Sequence, residues 1–230
     1  MLEIYKNSTY AENNPDWHEA DAPWKAAQIA NIIKKNGVRF GNICEVGCGT
    51  GDVILNLERM FDHSRGYGYE ISPHAYWRAK NKETTRTKFY LDDVLDAPDG
   101  PFDVLLAIDV IEHVEDYISF AKQLRPLAKV KIFHIPLDLS VQSLLRREPI
   151  LHLRSSVGHL HYFFKDTALA TLRDCGYNVI DYCYTASRIE LPNQALSSRL
   201  MSVPRRAMFA LNRDFTVRVL GGYSLLVLAE

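Results

Sequence analysis

Glycine recurs at every second position in Glu45-Val46-Gly47-Cys48-Gly49-Thr50-Gly51-Asp52. Bare backbone of this kind turns sharply and lets a ligand approach where a side chain would collide. Nineteen residues beyond Gly51 stands Glu70, followed by Ile71. A carboxylate can accept both hydroxyl protons of a ribose diol, and an acidic residue about 20 positions after a glycine-rich turn is placed to do so. Glu45 and Asp52 flank the turn as anions for a cationic ligand, Asp52 serving equally as a first-turn helix charge. Cys48 reads as a small buried residue within the turn.

Acid–base chemistry has three imidazole candidates. His113, in Asp109-Val110-Ile111-Glu112-His113-Val114, follows an apolar run, and a neutral imidazole there can take a proton from a hydroxyl. His159 and His161, in Gly158-His159-Leu160-His161-Tyr162-Phe163, come next. Any of the three can instead be a structural histidine. Trp17, His18, Trp24 and Lys25 are expected to close over the site, with Lys25 either pairing with a ligand carboxylate or lying solvated on its helix.

These residues must be held by alternating strands and helices. Residues 1–40 read as a helical lead-in. Pro23 opens an amphipathic stretch through Ile33, and Asn36-Gly37 ends it. Strands are expected at 42–46, 66–71, 88–91, 102–108 and 129–135, with helices between them. Ser72-Pro73 serves as N-cap and first-turn proline. The alternation predicts a parallel sheet covered by helices on both faces. Residues 136–162 read as an irregular lid or substrate-binding insertion. Asp166 is expected to cap a helix that Gly176 closes. Residues 177–185 and 223–229 supply two last strands. The domain proper is thus expected at 41–230.

The chain has 230 residues, 47% apolar and 24% charged, enough for one globular core. No apolar run of eighteen residues predicts a membrane span, and residues 1–6 do not read as a leader. Four cysteines without a CxxC pair are expected to be reduced, in a cytoplasmic protein. The net charge of −1 argues against a dedicated nucleic-acid binder. It is unevenly spread: residues 1–120 carry 20 acidic against 12 basic groups, and residues 121–230 carry 8 against 15. The basic half suits an anionic acceptor, or consists of scattered solvated arginines.

The glycine turn resembles motif I of the class I S-adenosylmethionine (SAM)-dependent methyltransferases. Its third glycine follows the second by two residues, where dinucleotide-binding Rossmann proteins usually have three. Leu91-Asp92-Asp93-Val94 is similar to the family's segment after strand three. Phe102-Asp103-Val104 resembles the start of its fourth strand, and 107–114 resembles the motif after it. The resemblance, from about residue 40 onward, implies an α/β fold: a seven-stranded, mostly parallel Rossmann-like sheet with the last strand antiparallel at the edge, and an N-terminal helical lid. It implies SAM as cofactor and S-adenosyl-L-homocysteine as product. It implies Asp93 and Val94 at the adenine with Asp92 as the alternative, and Ile108 and Asp109 beside the cofactor. Asp109, Glu112 and His113 also match an acidic-x-x-Glu-His pattern that ubiquinone-type O-methyltransferases associate with a divalent cation. The helix-cap and ion-pair reading of these three is preferred here, and no metal is expected.

The function implied is methylation, favouring oxygen, of a small molecule such as a sugar, a lipid-linked compound or a secondary metabolite. The rival readings are an NAD-dependent oxidoreductase, which shares the turn and the ribose acid, and a SAM-binding partner protein without turnover. The sequence leaves the acceptor and the oligomeric state open.

Overall fold

A computed structural model of the protein describes residues 9–96, 100–190 and 196–230. Residues 1–6 lie outside it. Among the described residues seven strands form one sheet: β1 (Asn42–Val46), β2 (Arg65–Tyr69), β3 (Thr87–Tyr90), β4 (Phe102–Ile108), β5 (Ala128–Pro136), β6 (Val179–Thr185) and β7 (Ser224–Ala229). Their order is β3-β2-β1-β4-β5-β7-β6. β1 to β5 pair in parallel, and β7 is antiparallel to both β5 and β6.

The central strands are apolar at consecutive positions because helices cover both faces. Leu105, Phe133 and Val227 enter one buried cluster. Val104, Leu106, Ile132 and Leu226 enter another. That alternation is the period-two geometry of a strand dividing two cores. Each fully buried Leu, Ile or Phe contributes about 1.5–3 kcal/mol. The lead-in helix, Ala22–Lys35, buries Ala26, Ile29, Ala30, Ile32 and Ile33 against the second cluster and carries proline in its first turn. No helix among the described residues is long and apolar enough to cross a membrane.

Several local expectations need correction. β7 does not sit at the sheet edge but inserts between β5 and β6, leaving β6 outermost. Its register explains this: Ser224 to Ala229 are all buried, as a strand paired on both sides requires. The 136–162 insertion is not irregular. Helices Val141–Arg146 and Glu148–His152 are followed by a π-turn, Leu153–Val157. Ser140 opens the first of these with a capping box, its Oγ accepting the Ser143 N–H. Asp166 lies in the first turn, and Phe164 is the N-cap instead. The Thr167 hydroxyl accepts the Phe164 N–H at 3.2 Å. Ser72 does occupy the N-cap before Pro73, but its hydroxyl makes no cap bond and is buried without a partner. Residues between β6 and β7, for which the pattern shows no element, form helices Ser187–Glu190, Leu196–Leu211 and Arg213–Leu220.

Candidate active site

The order of strands reverses between β1 and β4, and such switch points open a crevice at the strands' carboxyl ends. A cavity of about 630 Å³ lies there. Its floor is the glycine turn after β1. Gly47, Gly49 and Gly51 all have positive φ, at 60°, 54° and 79°. Their surroundings differ. A Cβ on Gly49 would meet nothing within 4 Å, so the backbone there borders open space. A Cβ on Gly51 would collide with the Phe89 ring. Gly51 is therefore a packing glycine and the N-cap of helix Asp52–Met60, and it does not line the cavity.

Glu70 pins this turn. Its Oε2 accepts the Gly49 N–H at 2.7 Å and its Oε1 accepts the Ser72 N–H at 2.7 Å. Burial pushes its carboxyl up, and these backbone donors partly counter that. Each oxygen keeps further acceptor capacity, and the residue lines the cavity with Ile71. Glu45 caps the next helix from β1 by accepting the Ile54 N–H at 3.2 Å. Burial pushes the Glu45 carboxyl up to about 8, against the nearby charge of Lys25. Asp52 binds Lys82 at 2.6 Å and the Thr50 hydroxyl at 2.7 Å. Cys48 is buried behind the turn, where burial raises its thiol.

The wall after β4 carries a chain of contacts. Asp109, at φ 54°, places Oδ2 2.7 Å from Lys25 Nζ and Oδ1 2.6 Å from His134 Nδ1. His134 Nε2 continues to Thr185 Oγ1 at 2.8 Å. Burial opposes the Asp109 charge, yet His134 and Lys25 hold its carboxyl far below the usual range. Burial likewise works against the Lys25 charge and is outweighed by Asp109. Lys25, expected at a ligand carboxylate, is thus engaged by the protein's own. Ile108 and Asp109 both line the cavity.

At the far end, His113 and His159 meet edge to face with ring centroids 4.8 Å apart. His113 Nδ1 donates to the Gly158 carbonyl at 3.1 Å, and His159 Nδ1 donates to Asp138 Oδ2 at 2.8 Å. Burial, with His159 alongside, pushes His113 down to about 4, so it is neutral at physiological pH. Beneath them the Glu112 carboxyl is fully buried and neither oxygen has a hydrogen-bond partner. A second cavity of about 200 Å³ shares His159, Leu153 and Pro136 with the first and carries Arg146 and Arg205. Arg205 donates to Gln142 Oε1 and to the Leu220 carbonyl.

Residues 10–22 cover the cavity. Tyr10, Trp17, His18 and Trp24 line it. Asn14 donates to the Ser156 carbonyl at 3.1 Å, and Glu19 binds Arg78 at 2.9 Å and Lys82 at 3.3 Å. Trp24 Nε1 donates to Glu190 at 2.7 Å.

The structure does not bring every expected residue here. Asp92 and Asp93 are exposed and outside the cavity, and Asp93 Oδ1 accepts the Leu95 N–H. Val94 is buried in the core. His161 packs on Tyr117 and hydrogen-bonds the Val114 carbonyl at 2.9 Å, away from the cavity. His134 and Asp138 were not anticipated. His134 left one trace, a polar residue within the apolar run of β5. Asp138 left none, because it meets His159 across 21 residues.

A family model described as a methyltransferase domain matches residues 17–182. Ajmaline N-methyltransferase of Rauvolfia serpentina is 31% identical over 111 aligned positions, covering 43% of this chain and 38% of that protein. The chain therefore spans well under half the length of this curated relative. Among solved structures, a putative methyltransferase in complex with the Haloferax volcanii Trm112 methyltransferase activator has a TM-score of 0.66 at 18% identity, covering 98% and 96% of the two chains. Magnesium protoporphyrin IX methyltransferase of Synechocystis PCC 6803, with bound SAH, has a TM-score of 0.61 at 16% identity, covering 90% and 82%.

Proposed function

The chain belongs to the methyltransferase domain family, and from that premise we propose that it moves the methyl group of SAM to an oxygen of a small-molecule acceptor. The carrying observation is the pairing of Gly49, which borders open space, with a Glu70 carboxylate oriented by the Gly49 and Ser72 N–H groups. That cradle fits a nucleoside: bare backbone for close approach and a carboxylate for the ribose diol. The cavity lining carries the Glu70, Asp52 and Asp109 carboxyls, which suits a cationic cofactor, while Glu45, pushed up to about 8, is an uncharged hydrogen-bonding acid there. Bound there, SAM supplies a methyl group already activated by its sulfonium charge.

The protein's own residues then have three tasks. Glu70 and Glu45 orient the donor. The strap of residues 10–22, acting as a lid, excludes water. His113 and His159 have their Nδ1 atoms anchored and border the acceptor end of the cavity, where the neutral imidazole of His113 polarises a hydroxyl and holds its proton at Nε2. Alignment of hydroxyl and methyl supplies the rest of the rate. Arg146 and Arg205 in the adjoining cavity favour an acceptor with an anionic group. A nitrogen acceptor is the second reading, favoured by the N-methyltransferase relative.

The test is equilibrium dialysis of the purified chain with tritiated SAM or labelled NAD. A mass-spectrometric acceptor screen follows, for a gain of one methyl group. Retention of SAM with methylated product supports the reading. Retention of NAD instead would overturn it, and SAM retention without any product would leave a binding protein.

A further inference from the structure

We propose that the second cavity, of about 200 Å³, is a subsite that holds a carboxylate of the acceptor between Arg205 and Tyr223. It joins the first cavity through a neck of Pro136, Leu153, His159, Ser187 and Ser224, which line both. Its volume falls below the about 300–1,000 Å³ of sites that enclose a whole ligand, so it suits one functional group and its stem. An acceptor whose hydroxyl lies at His113 reaches across that neck with its other end.

Tyr223 is the strongest sign. It lines the cavity at 3% exposure, and its hydroxyl is buried with no hydrogen-bond partner among the described residues. The ring is held in place, stacked on Phe209 with centroids 4.9 Å apart and planes inclined by 9°. Its backbone is held too, since the Tyr223 carbonyl accepts the Leu137 N–H at 3.1 Å just beyond the end of β5. A buried hydroxyl left this way destabilises the fold unless a ligand compensates it.

Arg205 supplies the second sign. It is buried, and its Nη2 donates to Gln142 Oε1 at 3.2 Å and to the Leu220 carbonyl at 3.3 Å. These bonds hold the guanidinium in one orientation on the cavity wall. Burial raises the Tyr223 phenol and the Arg205 charge works against it, so the two groups are close neighbours. A guanidinium presents its N–H groups as a planar fork that matches a carboxylate, and a phenol adds one more donor.

The third sign is the charge balance. Arg146 and Arg205 stand against Asp138 in the lining, which leaves one positive charge in excess. A carboxylate, with its single charge, balances it. A phosphate monoester carries about −1.5 to −2 at neutral pH and would be left short of cations. The acceptor class is therefore a hydroxy acid. That this carboxylate belongs to the methyl acceptor rests on the function proposed above; the subsite itself does not.

The experiment uses the full chain saturated with S-adenosyl-L-homocysteine, into which benzoate, benzamide and phenyl phosphate are titrated by calorimetry. Benzoate should bind about tenfold or more tighter than benzamide, and tighter than phenyl phosphate. Tyr223→Phe deletes one oxygen; it should weaken benzoate about fivefold or more while the melting temperature of the unliganded chain holds or rises. Arg205→Gln should abolish the preference for benzoate over benzamide, with thermal unfolding showing that the variant is folded. Should it not fold, Arg146→Ala takes its place, with benzoate weakened about two- to fivefold at low salt and hardly at all at high salt. Equal affinity for benzoate and benzamide, tighter binding of phenyl phosphate, or benzoate affinity unchanged in Tyr223→Phe would each overturn the proposal while leaving the methyltransferase reading intact. A chain that retains no S-adenosyl-L-homocysteine yet shows the expected benzoate pattern would sink the methyltransferase reading and keep the subsite.

Discussion

Lys25 Nζ lies 2.7 Å from Asp109 Oδ2, so one ion pair joins the lead-in helix to the loop after β4. Both side chains are about four-fifths covered, so the pair is only weakly screened. Lys25→Met should destabilise the protein by about 1–3 kcal/mol, because Asp109 keeps only His134. Urea unfolding would show it as a lower midpoint at unchanged slope. Asp109→Asn should cost less than Asp109→Val, because Asn tolerates the left-handed backbone at φ 54° and Val does not.

Two glycine substitutions should fail differently. Gly51→Ala drives a methyl group into Phe89 and should lower the melting temperature markedly, by several degrees or more. Gly49→Ala meets open space and carries only the backbone cost of about 1 kcal/mol, but it puts that methyl where the cofactor approaches. It should therefore weaken SAM binding with a modest loss of stability. Equal loss of affinity and stability in both variants would refute the division of labour.

Glu70→Gln leaves a single acceptor oxygen for two backbone N–H groups. One buried donor loses its partner, at about 1–3 kcal/mol. Calorimetry should show SAM affinity reduced roughly tenfold or more. Unchanged affinity would remove Glu70 from the cofactor site.

Glu45 should make the unliganded fold less stable as pH rises. Its carboxyl releases its proton near 8 when folded and near the ordinary 4.5 when unfolded. Between those values the folded form holds a proton that the unfolded chain gives up, so stability declines across that window and levels off above it. The slope approaches about 1.4 kcal/mol per pH unit for one such group. Glu45→Gln should flatten melting temperature against pH between 5 and 8. An identical slope in the variant would exclude Glu45 as the cause.

His159→Ala should slow methyl transfer by about 10²–10⁴-fold with SAM affinity nearly intact. His161→Ala should instead reduce stability, since its ring bonds the Val114 carbonyl and packs on Tyr117. A large rate loss confined to His161→Ala would reverse the assignment.

The glycine turn and Glu70, the half of the candidate site proposed for the donor, could be placed together from the sequence because they are local. Gly47 to Gly51 and Glu70 lie within one strand–helix–strand unit, where spacing carries geometry. The core strands were legible too, since burial on both faces leaves a continuous apolar run. The acceptor half depends on contacts that spacing does not encode. Asp138 reaches His159, and His134 reaches Asp109, only after the sheet has formed. The place of β7 follows from pairing with β5 and β6; its unbroken apolar run, Leu225 to Ala229, against the polar alternation of β6 was the one signal for it. Helix Leu196–Leu211 contains Pro204, which argues against a helix by local rules.

The strap over the cavity is moored on two unlike footings. Glu19 holds it to Arg78 and Lys82 by charge, and Asn14 holds it to Ser156 by a neutral hydrogen bond. Salt weakens the first footing and leaves the second nearly untouched. The Glu19 side faces the glycine turn, through Lys82 and Asp52, while the Asn14 side faces the insertion. On the proposed lid reading, raising ionic strength should therefore act as a selective tap, speeding nucleoside exchange past the Glu19 edge of the strap while the Asn14 edge keeps its own pace.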